Sequence, residues 1–256
     1  MPNLMHNSFS YGNLEEYGIS LGGGYDGIRI ERIPNQNRPE RKADVYDVPG
    51  RNGSIVFMQD AWENVDQSYE IWGSGGTTEF GYFVSRLFAM KGYHELRDTY
   101  DPDHYRLAYF TGPFDVESNM MRRGRATITF SCDPRRFFEE YRNRWIDVTV
   151  SGRNLGISTP TPYDAKPLIR VSGSGSGSVT IGGKTLYINN ITDQMVLDCE
   201  NEEASYQGTP LNADVYGDFP VIPGYFGTPG QPESYPPIYF DGGVTEVHIR
   251  TNWWEL

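Results

Sequence analysis

The sequence predicts a mainly β protein of two domains. Three observations carry that expectation. The 29 Gly and 17 Pro of the 256 residues are spread along the chain without a repeat, which calls for many turns. One stretch alone carries a helical period of apolar residues, whereas short runs elsewhere alternate apolar and polar side chains. The charge changes along the chain, with 17 of the 22 basic residues in 1–150 and 5 after it. That shift sets the expected domains at 1–148 and 149–256. Leu, Ile, Val and Phe number 56, little for a folded chain of this length, and the 18 Tyr and 5 Trp supply the missing burial area.

From the N-terminus, Met1–Ser10 has no basic stretch followed by an apolar core, so no secretory leader is expected. No apolar run reaches the length of a membrane span. Gly22-Gly23-Gly24 reads as a turn into a strand at Ile28–Ile33. Pro49-Gly50-Arg51-Asn52-Gly53 is a tight turn that joins Lys42–Val48 to Ser54–Met58 as a hairpin. Phe80, Phe83, Val84, Leu87 and Phe88 fall at i, i+3, i+4, i+7 and i+8, predicting a helix near 78–90. Thr77 or Thr78 would cap it, Glu79 suits its positive end, and Gly92 suits the turn after it. Tyr105–Phe110 and Arg125–Ser131 read as paired strands, the second alternating Ala126, Ile128 and Phe130 with Thr and Arg.

After residue 150 no helical period recurs. Trp145–Val150, Leu168–Val171, Ser178–Ile181, Thr185–Ile188, Gln194–Leu197 and Gly243–Thr251 read as short strands at sandwich spacing. Ser172–Ser178, which spells SGSGSGS, reads as a flexible turn between two of them. The Pro-rich stretch Ile222–Pro237 reads as a long loop or arm.

Composition narrows the function. A net charge of −12 does not suit a nucleic-acid grip or a polybasic membrane contact, so neither specific nucleic-acid binding nor membrane insertion is expected. The basic residues are 18 Arg and 4 Lys, and Arg is the charge that protein interfaces favour. Cys132 and Cys199 are too sparse for a disulfide scaffold. His6, His94, His104 and His248 have no metal-ligand spacing. Neither a G-x-S-x-G elbow nor a phosphate-binding glycine loop is present; Gly182-Gly183-Lys184-Thr185 lacks the upstream glycine such a loop requires. The acidic run Asp198–Glu203 does not match an EF-hand loop, and no carboxylate pair stands out for glycoside hydrolysis. The expectation is a protein without cofactor or metal and not an enzyme. Trp253, Trp254, Tyr216, Tyr225, Phe226, Tyr235 and Tyr239 keep open an alternative function, a carbohydrate-binding module for host-surface attachment.

A series of short motifs adds to this. Cys132-Asp133-Pro134 closes the last strand of the first domain. Asn154-Leu155-Gly156, Pro167-Leu168-Ile169, Gly173-x-Gly175 and Val179-x-Ile181-x-Gly183 follow. Then come Leu197-Asp198-Cys199-Glu200, Gly217-Asp218-Phe219-Pro220, Ile222-Pro223-Gly224 and the ending Arg250-x-Asn252-Trp253-Trp254-x-Leu256. In this order they resemble the distal tail protein (Dit) family of long-tailed, non-contractile bacteriophages. The resemblance covers nearly the whole chain and is weaker in its first half. The chain departs from the family pattern after Gly224, where Tyr225, Phe226 and a Pro-rich insert replace a short turn, and it lacks the carbohydrate-binding inserts of larger members.

The resemblance implies an N-terminal, ring-forming, tube-protein-like β-barrel or sandwich with one helix, and a C-terminal galectin-like β-sandwich. It implies a virion tail tip component, made in the host cytoplasm. Six copies would form a ring joining the tail tube to the tip or baseplate, with DNA passing through. The implied partners are further copies of the chain, the major tail tube protein, and tail-associated lysin or receptor-binding baseplate proteins. It also implies a subunit-interface role for the hairpin turn Val48, Pro49, Gly50, Arg51, Asn52 and Gly53.

Overall fold

The computed structural model describes residues 7–12, 19–20, 28–73, 76–114, 116–118, 124–225 and 236–256. The chain is mainly β, with one α-helix among the described residues, and divides into two compact units, Met1–Arg136 with Leu256, and Phe137–Glu255. The division falls earlier than the expected 148/149. Val148 explains the difference: it pairs with Val247 and is buried in the core of the second unit, so its segment cannot belong to the first.

The first unit contains β1 (Phe9–Tyr11), β2 (Ile19–Ser20), β3 (Ile28–Ile30), β4 (Arg41–Tyr46), β5 (Ile55–Trp62), β6 (Val65–Gly73), α1 (Gly76–Ala89), β7 (His94–Asp98), β8 (His104–Tyr109) and β9 (Val116–Ser118). Nearly all of β10 (Gly124–Phe138) also belongs to it. Among the described residues the main sheet runs β2-β1-β7-β8-β10-β6-β3, with β9 beside β10. The expected pairing of Tyr105–Phe110 with Arg125–Ser131 is present as β8 next to β10. Strand β6 alternates strictly, burying Val65, Gln67, Tyr69 and Ile71 and exposing the residues between them. Its partner β10 places Ala126, Ile128, Phe130 and Cys132 on the same core.

Helix α1 contributes Phe80, Phe83 and Leu87 to this core, with Val84 at its margin. Phe88 departs from the predicted stripe: it is 51% exposed and meets the core edge-on at Phe110, at 5.1 Å between centroids. The stripe is therefore narrower than its five apolar letters. Gly92 takes φ 81° in the turn that follows. The capping side chains Thr77, Thr78 and Glu79 lie outside the described residues, as do the Gly22–Gly24 turn and His6.

The second unit contains β11 (Ile146–Val148), β12 (Arg153–Asn154), β13 (Leu168–Ile181), β14 (Lys184–Asp198), β15 (Glu203–Tyr206), β16 (Thr209–Pro210), β17 (Val215–Gly217), β18 (Pro237–Arg250) and β19 (Trp254–Glu255). Three of these strands are long. Leu168–Val171 and Ser178–Ile181, expected as separate strands, are the two ends of β13; Thr185–Ile188 and Gln194–Leu197 are likewise the two ends of β14. One end of β13 pairs Val171 with Met195 and Val247, and the other pairs Val179 with Leu186 and Phe240. Ile169, Val171, Val179, Ile181, Leu186, Ile188, Met195 and Leu197 nevertheless share one core. The sheet must fold over in the middle of these strands so that its two halves enclose that core as a sandwich.

SGSGSGS is thus the bend inside a strand and not a loose turn. The ladder shifts register between Ser172 and Gly177, where β13 crosses β18. A Cβ on Gly173 would stand 2.0 Å from the Gly243 carbonyl oxygen, and one on Gly243 would stand 1.8 Å from that of Ser174. Two backbones meet there with no room for a side chain, the condition under which Gly is required inside a strand.

Candidate assembly surface

Strands β4 and β5 form a two-stranded sheet of their own. Their register pairs Tyr46 with Ile55, Val45 with Val56, Asp44 with Phe57 and Ala43 with Met58. Because side chains alternate, Tyr46, Ile55 and Phe57 lie on one face and Val45, Val56 and Met58 on the other. Both faces are apolar and both are open. Val45 is 60% exposed, Tyr46 57%, Phe57 59% and Met58 64%. None of these residues belongs to either buried core.

The hairpin is locally well determined. Arg51 N–H donates to the Val48 carbonyl at 3.1 Å, the Ser54 hydroxyl to Asp47 at 2.5 Å, and the Gln59 amide to Asp44 at 2.9 Å. Gly50 and Gly53 take φ 81° and 80°, which suits a tight turn. At its base the Arg41 guanidinium lies 5.3 Å from the centre of the Trp62 ring. Two strands alone are marginal in water, and open strand edges with apolar faces template association.

The sequence-derived interface residues Val48, Pro49, Gly50, Arg51, Asn52 and Gly53 form the tip and are all exposed. The larger apolar area lies on the strands behind them, in residues the turn motif does not mark. A signal for it exists in the sequence: Ile55-Val56-Phe57-Met58 is apolar at four consecutive positions, the pattern of a strand covered on both faces.

Elsewhere in the first unit several polar groups are engaged with one another. Tyr69 donates to Asp98 at 2.7 Å. Asp101 holds His104 Nδ1 at 2.7 Å and Arg136 at 2.9 Å. Burial alone would raise the Asp101 carboxyl; the hydrogen bond and charge of His104, with Arg136 and Arg106, outweigh it and hold the group below its ordinary value. The adjoining cavity, of about 30 Å³, has space for little more than a water molecule. A shallow cleft of about 500 Å³ lies over β6 and β10; Glu70 pairs there with Arg32 at 3.4 Å and Glu31 with Arg125. These carboxylates are neutralised by arginine, an arrangement that suits a solvated sheet face.

The remaining sequence candidates do not converge. His94 lies near Lys91, His104 is in the Asp101 network, and His248 lies 2.6 Å from Asp147. Among the described residues no group of three or more His, Cys, Asp or Glu is placed to hold a metal ion. Burial pushes the thiols of Cys132 and Cys199 up to about 12, far from the reactive thiolate range. Asp198 accepts the backbone N–H groups of Glu200 and Asn201, so it caps a turn. Trp253 is 1% exposed and packs edge-on to Tyr141, which removes it from the surface aromatics; Trp254 stacks on Tyr163 at 4.5 Å. Tyr216 and Tyr239 are exposed, whereas Phe226 and Tyr235 lie outside the described residues, with most of the Pro-rich stretch.

No protein-family model matches the chain, and no curated protein matches it in sequence. Among solved structures, the chain is similar to the crystal structure of the phage SPP1 Dit (gp 19.1) protein, described as a paradigm of the hub adsorption apparatus in phages that infect Gram-positive bacteria. The TM-score is 0.66 at 13% identity, over 94% of this chain and 98% of that one. At this identity the likeness establishes a fold, which this chain shares with that protein along almost its entire length.

Proposed function

We propose that this chain is a structural hub of a bacteriophage tail tip, a virion component that assembles with copies of itself and with other tail proteins. The observation that carries the proposal is a hairpin apolar on both faces and open on both, in a chain with the fold of a hub protein. Such a hairpin is stable in water only when covered, and a neighbouring copy in a ring covers every hairpin once while presenting its own to the next. Six copies would form that ring between the tail tube protein and the tip or baseplate proteins. The ring would multiply the charge of −12 sixfold, so DNA passing through would be repelled rather than held.

The first unit is the natural ring former. It carries the hairpin and 13 of the 18 arginines, the charged side chain that interfaces tolerate best. The protein acts by assembly and catalyses no reaction. Light scattering and negative-stain images of the purified full chain test the proposal: closed rings are expected, and a protein that stays monomeric at high concentration with and without its tail-tube partner refutes it.

A further inference from the structure

We infer that the outer face of the sandwich half containing β17 is a binding site for neutral saccharides. This goes beyond the hub proposal and does not depend on ring formation. In this half, Phe240, Val179, Leu186 and Gly217 stand in one cross-strand row, and Val179 and Leu186 are core residues. The rows on either side therefore point away from that core, with Ser178 itself still buried beneath its neighbours. One reads Asp241, Ser178, Tyr187, Tyr216 across four strands, and the other reads Tyr239, Thr180, Thr185.

Tyr187 and Tyr216 are 45% and 56% exposed and stack at 5.1 Å between centroids, 16° from parallel. Gly217 sets that stack. It takes φ 103°, and a Cβ there would stand 2.6 Å from the Thr185 carbonyl oxygen and 3.3 Å from the Tyr187 ring, so only glycine lets β17 approach this closely. Asp218 N–H, donating to the Thr185 carbonyl at 2.9 Å, locks the approach. Along the same row the Ser178 hydroxyl donates to Asp241 at 2.8 Å, and in the next row the Thr180 and Thr185 hydroxyls lie 2.8 Å apart. Tyr239 is also exposed.

The face thus offers rigid aromatic surface, the Thr180 and Thr185 hydroxyls and the Asp241 carboxylate, which only accepts hydrogen bonds and is oriented from below by Ser178. A sugar ring needs those three: an apolar C–H face to lie on an aromatic ring, and hydroxyls to donate to a carboxylate and exchange with threonine. Three strand spacings of ~4.8 Å make the Asp241-to-Tyr216 row about 14 Å long, enough for a short saccharide. Neither row carries Lys or Arg, and Asp241 would repel phosphate, sulfate or carboxylate groups. The charge therefore selects a neutral glycan over an anionic polymer. A cross-strand pair serving only the sheet would gain its stability by burial, whereas these rings are left open to solvent.

Saturation-transfer NMR on the full-length protein tests the inference and tolerates any oligomeric state. The probes are the methyl glycosides of glucose, galactose, N-acetylglucosamine, N-acetylgalactosamine and rhamnose, with methyl sialoside as the anionic control. At least one neutral probe is expected to receive saturation on the C–H protons of one ring face, and methyl sialoside is not. A single sugar ring is shorter than this row of about 14 Å, so Tyr216→Ala or Asp241→Asn, according to the end the probe occupies, should weaken that binding tenfold or more. Tyr216→Phe, which keeps the stack, should retain it, and Phe57→Ala on the hairpin should leave it unchanged. Silence from all five neutral probes overturns the inference. So does binding that survives both Tyr216→Ala and Asp241→Asn, or equal binding of the sialoside. Assembly, measured separately by light scattering, does not enter either result.

Discussion

Replacing Gly243 by alanine should unfold the second unit far more readily than replacing Gly175, although both lie at the same strand crossing. A Cβ on Gly243 would stand 1.8 Å from the Ser174 carbonyl oxygen and 3.1 Å from that of Ser176, whereas a Cβ on Gly175 would meet nothing within 4 Å. The Gly243 obstacle is backbone, so no rotamer change relieves it. The strands must separate by more than an ångström, losing ladder hydrogen bonds worth ~1 kcal/mol each, on top of an overpacking cost of roughly 1–3 kcal/mol. We expect about 4 kcal/mol for Gly243→Ala, against total stabilities of roughly 5–15 kcal/mol. Gly175 has φ 78°, so Gly175→Ala carries only the left-handed backbone penalty of ~1–2 kcal/mol. The two units need not unfold together, so the readout should be local: hydrogen exchange of peptides covering 168–198 and 237–250, followed through a urea series. Equal shifts for the two variants, or a Gly243→Ala protein exchanging like wild type, would refute the claim that the sandwich is closed by this backbone contact.

Three other outcomes follow from the structure. Val45→Asp with Phe57→Lys, one change on each hairpin face, should abolish assembly in light scattering while shifting monomer stability by less than about 0.5 kcal/mol, because both residues are already exposed and the lysine would stand opposite Asp44; the tip pair Val48→Asp with Arg51→Glu should do less, and a reversed order would place the contact at the tip. The first unit should lose stability as pH falls below about 4: Asp101 titrates lower in the folded chain than in the unfolded one, so its contribution is complete above the ordinary carboxylate range and disappears as pH drops through the depressed value. Asp101→Asn should destabilise the first unit near neutral pH by up to about 3 kcal/mol, because it removes one ion-pair partner of buried Arg136, and should flatten the acid limb of a thermal-melt series. Both cysteines should resist a thiol-specific chromogenic reagent in the native protein and react only on unfolding, and rapid native labelling at mild pH would contradict their burial and raised thiol values.

Much of the local structure was legible from residue order. The helix stripe of Phe80, Phe83 and Leu87, the alternation through Ala126, Ile128 and Phe130, and the hairpin around Gly50–Gly53 are all periodicities or turn chemistry that one segment carries by itself. The resemblance to distal tail proteins rested on the order of short motifs, and the likeness in fold to the SPP1 protein extends along the same length of chain. The face bearing Tyr187 and Tyr216 was half visible. Tyr216 stood out as an aromatic near a Gly-Asp-Phe-Pro step, but its stacking partner is 29 positions earlier in the chain, and only strand pairing brings the two together.

Sequence alone determined strand and helix type, the mainly β class and the presence of two domains, because backbone propensity, turn chemistry and side-chain period act over a few residues. Tertiary structure decided what depends on contacts between distant segments. Gly173 reads as a turn glycine until β13 meets β18 at Gly243, and the four strands expected over 168–197 are then two, each spanning both halves of a sandwich. Trp253 and Phe88 are both aromatic letters in apolar surroundings, yet one is sealed in the core and the other faces water. The open faces of Val45, Tyr46, Phe57 and Met58 belong to the same class: hydrophobicity is written in the residue, and whether anything covers it is a property of the assembled fold.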